Sequence, residues 1–139
     1  MTVVVDTSVL VAAFNERDAR HARAREIMEE IRQARHGDAF TTDFVLDEVV
    51  TVMLARTGRH DKAVQAIDFV VPKNPAEAWV ALEVVGEEAV FRALEAFRRS
   101  GRRELSFTDW TTLALVQEGR ADAVVSFDED FDGLVVRIA

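Results

Sequence analysis

Cysteine is absent from the 139 residues. That excludes a disulfide framework, a thiolate metal site and a cysteine nucleophile. Lysine is nearly absent: only Lys62 and Lys73 occur, so almost every base is arginine. Arginine suits bidentate phosphate contacts, although genomic base composition alone produces the same bias. Positive charge is scarce overall, with 17 bases against 25 acids and a formal net charge of -8. This balance argues against adhesion to nucleic acid through a broad basic surface. Nucleic acid stays open as a substrate, because bound divalent cations reverse the local sign at a carboxylate site. No apolar run approaches membrane-spanning length, and no basic stretch leads into one at the N-terminus. A soluble cytoplasmic chain is expected.

Hydrophobic residues make up 49% of the chain, enough for a globular core, and the length fits one domain. The organising stretch is Met1 to Ser8. Val3, Val4 and Val5 form an unalternating β-branched run, as in a strand buried on both faces. Asp6 ends that run, and Thr7-Ser8 open a short helix over 7–14. Asp6 or Thr7 is either a helix cap or, at the carboxyl end of a parallel strand, part of a ligand site. Downstream, Asp18 reads as the cap of an amphipathic helix over 19–35, with Ala24, Ile27, Met28 and Ile31 on one face and Gly37 closing it. A short strand over 39–42 precedes a largely buried helix over 44–57, capped by Thr42 or Asp43 and closed by Gly58. Further helices are expected over 61–71, 87–99 (Val90, Leu94 and Phe97 on one side) and 106–118. Strands are expected over 80–85, 123–126 and 134–138. Strands alternating with helices give an α/β domain, a parallel sheet covered on both faces.

Four acids stand where acids are not the easy choice. Asp6 ends the first strand, and Glu48 lies inside an apolar helix flanked by Val45 and Val52. Asp109 shares a face with Leu113 and Val116, and Asp128 follows the apolar run Ala123-Val124-Val125. Each has a structural alternative. Glu48 fits a boundary residue reaching solvent. Asp109 completes a capping box with Ser106. Asp128 sits in an acidic loop of ordinary solvated type. Together they point further. Asp6 and Asp128 follow strands, and Glu48 and Asp109 lie within about two turns of helix starts, so all face the carboxyl edge of the sheet. Converging carboxylates repel and take up protons unless a cation holds them. An all-oxygen site suits Mg²⁺ or Mn²⁺, which also bind phosphates.

The opening D-T-S-V-L, the glutamate of L-D-E-V, S-F-T-D-W-x-x-L-A-L and V-V-S-F-D-E-D-F together resemble a PIN domain. The likeness is strongest to the VapC-type ribonuclease toxins of prokaryotic toxin–antitoxin pairs and spans essentially the whole chain. It implies a five-stranded parallel sheet with helices on both faces. The family's acidic quartet falls on Asp6, Glu48, Asp109 and Asp128, as catalytic and metal-holding residues. Ser8 matches the small polar position after the first acid, implied to hold a water of the ion's shell. Ser126 stands where the family often has threonine, and Asp130 is auxiliary to Asp128. The implied reaction is Mg²⁺- or Mn²⁺-dependent hydrolysis of RNA, leaving 5′-phosphate and 3′-hydroxyl ends. The implied partners are a small antitoxin protein and a second copy of the chain. Apolar surface left over on helices 44–57 and 61–71 is expected to form the dimer face.

Other chemistries lack their residues. There is no G-x-x-x-x-G-K-[ST] loop and no G-x-G-x-x-G after the first strand. A haloacid-dehalogenase-type phosphatase wants a second aspartate at position 8, which is Ser8, and a phospho-receiver domain wants a lysine near the last strand. A metal-free route needs an acid–base pair, yet His21, His36 and His60 read as surface residues away from every acid motif. Arg98, Arg99, Arg102 and Arg103 cluster before Ser106, either as RNA contacts or as a solvated helix end. The rival of a different class is a non-catalytic PIN-like module that binds RNA or protein without cutting. Loss of one or two acids would mark it, and all four are present.

Overall fold

The structure, a computed structural model, describes residues 1–139. Its elements run β1 (Thr2–Val5), α1 (Thr7–Phe14), α2 (His21–Arg32), β2 (Asp38–Thr42), α3 (Asp43–Thr57) and α4 (His60–Val70), then β3 (Ala81–Glu83), α5 (Glu87–Ser100), α6 (Phe107–Gln117), β4 (Ala123–Val125) and β5 (Arg137–Ile138). The strands form one five-stranded sheet in the order β3-β2-β1-β4-β5. Every pairing is parallel, with Val3 opposite both Ala39 and Ala123. This is the expected α/β architecture.

β1 lies at the centre, which explains its unbroken valines. Val3 and Val5 point into the layer of α1 to α4 with Leu10, Ile27 and Val49. Val4 points into the opposite layer with Phe40, Leu115 and Phe131, beneath α5 and α6. A strand apolar on both faces needs no alternation. The chain leaves β1 towards β2 and β3, then returns on its other side through β4 and β5. β1 therefore borders the point where strand order reverses, the usual place for a ligand crevice in open α/β sheets.

Several boundaries differ from expectation. α2 is shorter than 19–35, because Asp18 Oδ1 accepts from the Arg20 amide (2.8 Å) and holds a turn there instead of capping a helix. Nor does Gly37 close that helix, which ends at Arg32 with Gln33 as its C-cap. Gly37 has φ 78°, and a Cβ there would fall 1.9 Å from the Met1 carbonyl oxygen. Only glycine lets β2 start beside β1 at that point. The outer strands β3 and β5 are trimmed to three and two residues. Short edges offer little ladder for another chain to extend. α3 is capped by Thr42, whose Oγ1 accepts from the Val45 amide at 3.1 Å. Asp43 is engaged elsewhere, accepting from the Val85 amide at 3.0 Å.

The apolar surface is also distributed differently. Within α3, Val45, Val49 and Met53 are buried, while its other apolar residues are half-buried or exposed. In α4, Val70 is buried, and Phe69 lies against Phe14 and Trp79 with ring centroids 5.2 and 5.4 Å apart. These helices are largely consumed by internal packing. α5 instead buries Ala89 and Ala93, leaving Phe91 and Phe97 exposed at 62% and 50%. Small residues let the helix sit close to α6, which turns the large ones outward. No helix is long and apolar enough to cross a membrane.

Candidate active site

Asp6 is the first residue past β1, and its amide still donates to the Val125 carbonyl of β4 at 3.0 Å. It occupies the N-cap position of α1, but its side chain makes no capping bond. The capping alternative therefore does not explain it. Oδ2 accepts from Ser126 Oγ at 2.8 Å and from Ser8 Oγ at 3.3 Å. Oδ1 is buried with no partner. Burial pushes the carboxyl's pKa above its ordinary value and the charge of Glu48 adds to this, while the Ser126 hydroxyl opposes both.

Asp109 lies in the first turn of α6, and both of its readings hold. Its Oδ2 accepts from the Ser106 amide (2.8 Å), and its own amide donates to Ser106 Oγ (3.1 Å), a reciprocal capping box. That bond fixes the carboxyl at the crevice. Burial first, then the charge of Asp6, raises its pKa to about 7, with Glu48 adding to the effect. Glu48 is half-buried on α3 and accepts from Ser106 Oγ at 3.4 Å. Asp128 follows β4, with Oδ1 accepting from the Asp130 amide at 2.9 Å to start a single 3-10 turn.

All four acids line one cleft of about 460 Å³ at the carboxyl edge of the sheet, together with Ser8, Ser106 and Phe127. They line it without closing a cage: no three acidic or histidine side chains stand ready-made around one point. Like charges in an open cleft keep apart for the reason that raises their pKa values. The donor set nevertheless fits a hard divalent ion. It is all oxygen, it includes a buried acceptor with no protein partner, and two of its acids are held above their ordinary pKa by burial and neighbouring charge.

The auxiliary residues take different places. Ser126 is fully buried behind Asp6, donating to it and accepting from the Asp128 amide at 3.0 Å. One hydroxyl thus sets both acids. Ser8 lines the cleft and accepts from the Phe127 amide at 3.0 Å, tying α1 to the loop after β4. Asp130 lies outside the cleft, its pKa raised by desolvation and then by the charge of Asp128. Ser126→Ala should orphan the Asp128 amide and leave Asp6 with the weaker Ser8 contact. The expected cost is about 1–3 kcal/mol in denaturant unfolding, with Ser126→Thr close to the parent.

Arg98, Arg99, Arg102 and Arg103 do not line the cleft. Arg99 pairs with Glu95 and Arg102 with Glu104, both at 2.5 Å. No histidine lines it either. His60 is exposed, but His21 and His36 are half-buried, bonded to the Ala12 carbonyl (2.7 Å) and to Glu30 (2.8 Å). The residues that the sequence reading missed are Asp18, Arg20 and Arg56, which form one wall of the cleft. Arg20 donates to the Phe127 carbonyl at 2.7 Å and lies 5.1 Å from the centroid of that residue's ring. Arg56 had a signal: with Glu48 and Val52 it follows helical spacing, one residue per turn on one face. Asp18 and Arg20 had none, because they reach the cleft through an irregular turn.

An α/β protein with a carboxylate-lined cleft at the reversal point of a parallel sheet is the class that fold and site define. The PIN domain model matches residues 3–135, and the chain belongs to that family. It is 30% identical over 129 residues to VapC20 of Mycobacterium tuberculosis, a 23S rRNA-specific endonuclease, covering 93% of this chain and 91% of the relative. The crystal structure of that protein, described as a sarcin-ricin loop cleaving toxin, superposes with a TM-score of 0.77 at 29% identity, covering 93% and 92% of the two chains. VapBC2 of Rickettsia felis bound to promoter DNA shares the fold at a TM-score of 0.65 and 11% identity, covering 99% and 98%. FitAcB of Neisseria gonorrhoeae shares it at 0.61 and 11%, covering 99% and 96%.

Proposed function

We propose that residues 1–139 act as one nuclease domain, a Mg²⁺- or Mn²⁺-dependent endoribonuclease of the cytoplasm and the toxin of a VapBC-like pair. The observation that carries this reading is the convergence of Asp6, Glu48, Asp109 and Asp128 on one cleft, with a buried Asp6 oxygen left free. Asp6, Glu48 and Asp109 would hold the ion, with Asp128 beside them. When bound, the ion neutralises the carboxylates and the phosphate and favours ionisation of water. The protein supplies the rest. Ser126 and Ser8 orient Asp6, and the capping box orients Asp109. Carboxylate oxygens without protein donors accept the proton of the attacking water. The bond from phosphorus to the 3′ oxygen breaks and that oxygen takes a proton from solvent water, leaving a 5′-phosphate and a 3′-hydroxyl, while the carboxyl returns its proton to solvent.

The relation to VapC20 makes 23S ribosomal RNA the first substrate to test. Purified protein should cut a sarcin–ricin stem-loop transcript in Mg²⁺ or Mn²⁺ and stop when excess chelator is added. Cleavage undiminished by chelator would overturn the mechanism, and binding without cleavage would favour the non-catalytic module.

A small antitoxin and a second copy of the chain complete the proposal. A basic antitoxin side chain entering the cleft would compete with the ion for the acids. Exposed Val84, Phe91 and Phe97 supply apolar surface for pairing. Sedimentation at tens of micromolar should give twice the monomer mass, and a monomer would refute the dimer. An upstream-encoded small protein should co-purify and suppress cleavage. Failure of both would refute the antitoxin.

A further inference from the structure

A second pocket of about 230 Å³ opens beside the acid cleft, and Arg56 belongs to both. Its walls carry Arg17, Arg59 and Lys62 besides Arg56, with Glu16 the acid among them. The chain as a whole is acidic by eight charges, so this concentration of cations runs against the average surface. On the cleft side the same wall continues through Arg20, anchored by the Phe127 carbonyl and ring rather than by a carboxylate. Five cations thus face three acids, Glu16, Asp18 and Asp61, along one path.

We infer that this path carries the RNA backbone away from the cleft, with Arg20 and Arg56 at its mouth and Arg17, Arg59 and Lys62 beyond. The inference rests on the endoribonuclease reading. α3 gives it its scale. Glu48, Val52 and Arg56 lie one turn apart, so acid and cation are separated by about 12 Å of helix. The acids, neutralised by an ion, take the scissile phosphate, and the guanidinium groups two turns on meet phosphates further along the strand. The ion pairs on the path do not oppose this. Arg56–Asp18 spans 3.6 Å, Lys62–Glu16 spans 3.5 Å, and Arg59–Asp61 is largely exposed. Such pairs contribute little and can exchange a carboxylate for a phosphate. Arginine also holds phosphate oxygens bidentately, which explains its use over lysine here. Cations at the C-terminus of α3 favour the helix dipole as well, but a dipole role does not require them to surround a pocket that shares Arg56 with the cleft.

The test uses Arg17→Gln/Arg59→Gln, which leaves every cleft residue in place, with Arg32→Gln/Arg35→Gln, which line neither pocket, as the control pair. A fluorescein-labelled sarcin–ricin stem-loop is titrated by anisotropy in chelator, where binding is read without cleavage. The path variant should weaken binding roughly tenfold at moderate salt and lower the slope of log affinity against log salt by about 1.4, two single-strand contacts. The control should match the parent. With Mn²⁺ added, the path variant should show a raised KM and an unchanged kcat. An affinity within twofold of the parent and an unchanged slope would overturn the inference, even if the parent cleaves normally. Weakened, salt-dependent binding by a parent that never cleaves would uphold the path and refute the nuclease. Loss of a co-expressed small protein with RNA affinity intact would assign the pocket to a protein partner and overturn the inference.

Discussion

Asp6→Asn is expected to lower RNA cleavage by roughly three orders of magnitude, about 4 kcal/mol in activation free energy, with the fold intact. The substitution preserves shape, and the amide oxygen can still accept from Ser126, so the contact linking β1 to β4 survives. What disappears is the negative charge at a buried position whose second oxygen has no protein partner. A carboxylate so placed is unfavourable in the metal-free chain, because burial and the charge of Glu48 both act against it. Removing it should therefore leave the melting temperature in chelator unchanged or raised, while the rise that Mn²⁺ gives the parent is lost. The two readouts separate a ligand role from a structural one. Near-normal cleavage by Asp6→Asn in Mg²⁺ or Mn²⁺ would refute the mechanism.

The metal-free protein should lose stability as pH rises from about 4 to about 7, against the usual trend for carboxylates in ion pairs. Asp109 has its pKa lifted from 3.8 to about 7 by burial and then by Asp6. A carboxyl held above its unfolded value binds its proton more tightly when folded. The stabilisation is complete below the unfolded value and is lost as pH passes through the folded one. Each proton involved gives a slope of up to about 1.4 kcal/mol per pH unit. The raised pKa of Asp6 acts in the same direction. Denaturant unfolding in chelator across this range measures the slope, and Asp109→Asn should flatten it. The amide keeps an oxygen for the Ser106 amide, so part of the capping box is retained. Glu48→Gln should also raise the melting temperature in chelator, since it removes a charge that disfavours both Asp6 and Asp109. A lower value for Glu48→Gln would count against the clustering of these acids. Mn²⁺ should reverse the pH trend by favouring the deprotonated acids.

Much of this molecule is legible along the chain. The valine run over 3–5, the alternation of strands with helices and the four acids that interrupt apolar patterns all act through local rules of periodicity and burial. They define a parallel sheet and put the acids at its carboxyl edge before any distance is known. Edge strands are less legible, because Leu82 in β3 and Leu134 and Val136 just before β5 are apolar yet face solvent, where pattern no longer separates strand from loop. In α5 Val90 packs against the core as its pattern predicts, but the close packing of Ala89 and Ala93 leaves Phe97, like Phe91, turned outward.

Tertiary structure alone decided which charges share a space. Arg20 enters the cleft through a turn set by Asp18, and the Phe127 carbonyl that holds it lies 107 residues away. The arginines over 98–103 are a local cluster in sequence, yet all four lie outside the cleft, where Arg99 and Arg102 pair with Glu95 and Glu104. Ser126 became a support for two acids only because β1 and β4 are adjacent strands. The sequence by itself determined the fold class and the identity of the acids, because periodicity is a property of neighbours along the chain. The cationic wall beside those acids depends on contacts between distant segments, which no local pattern encodes.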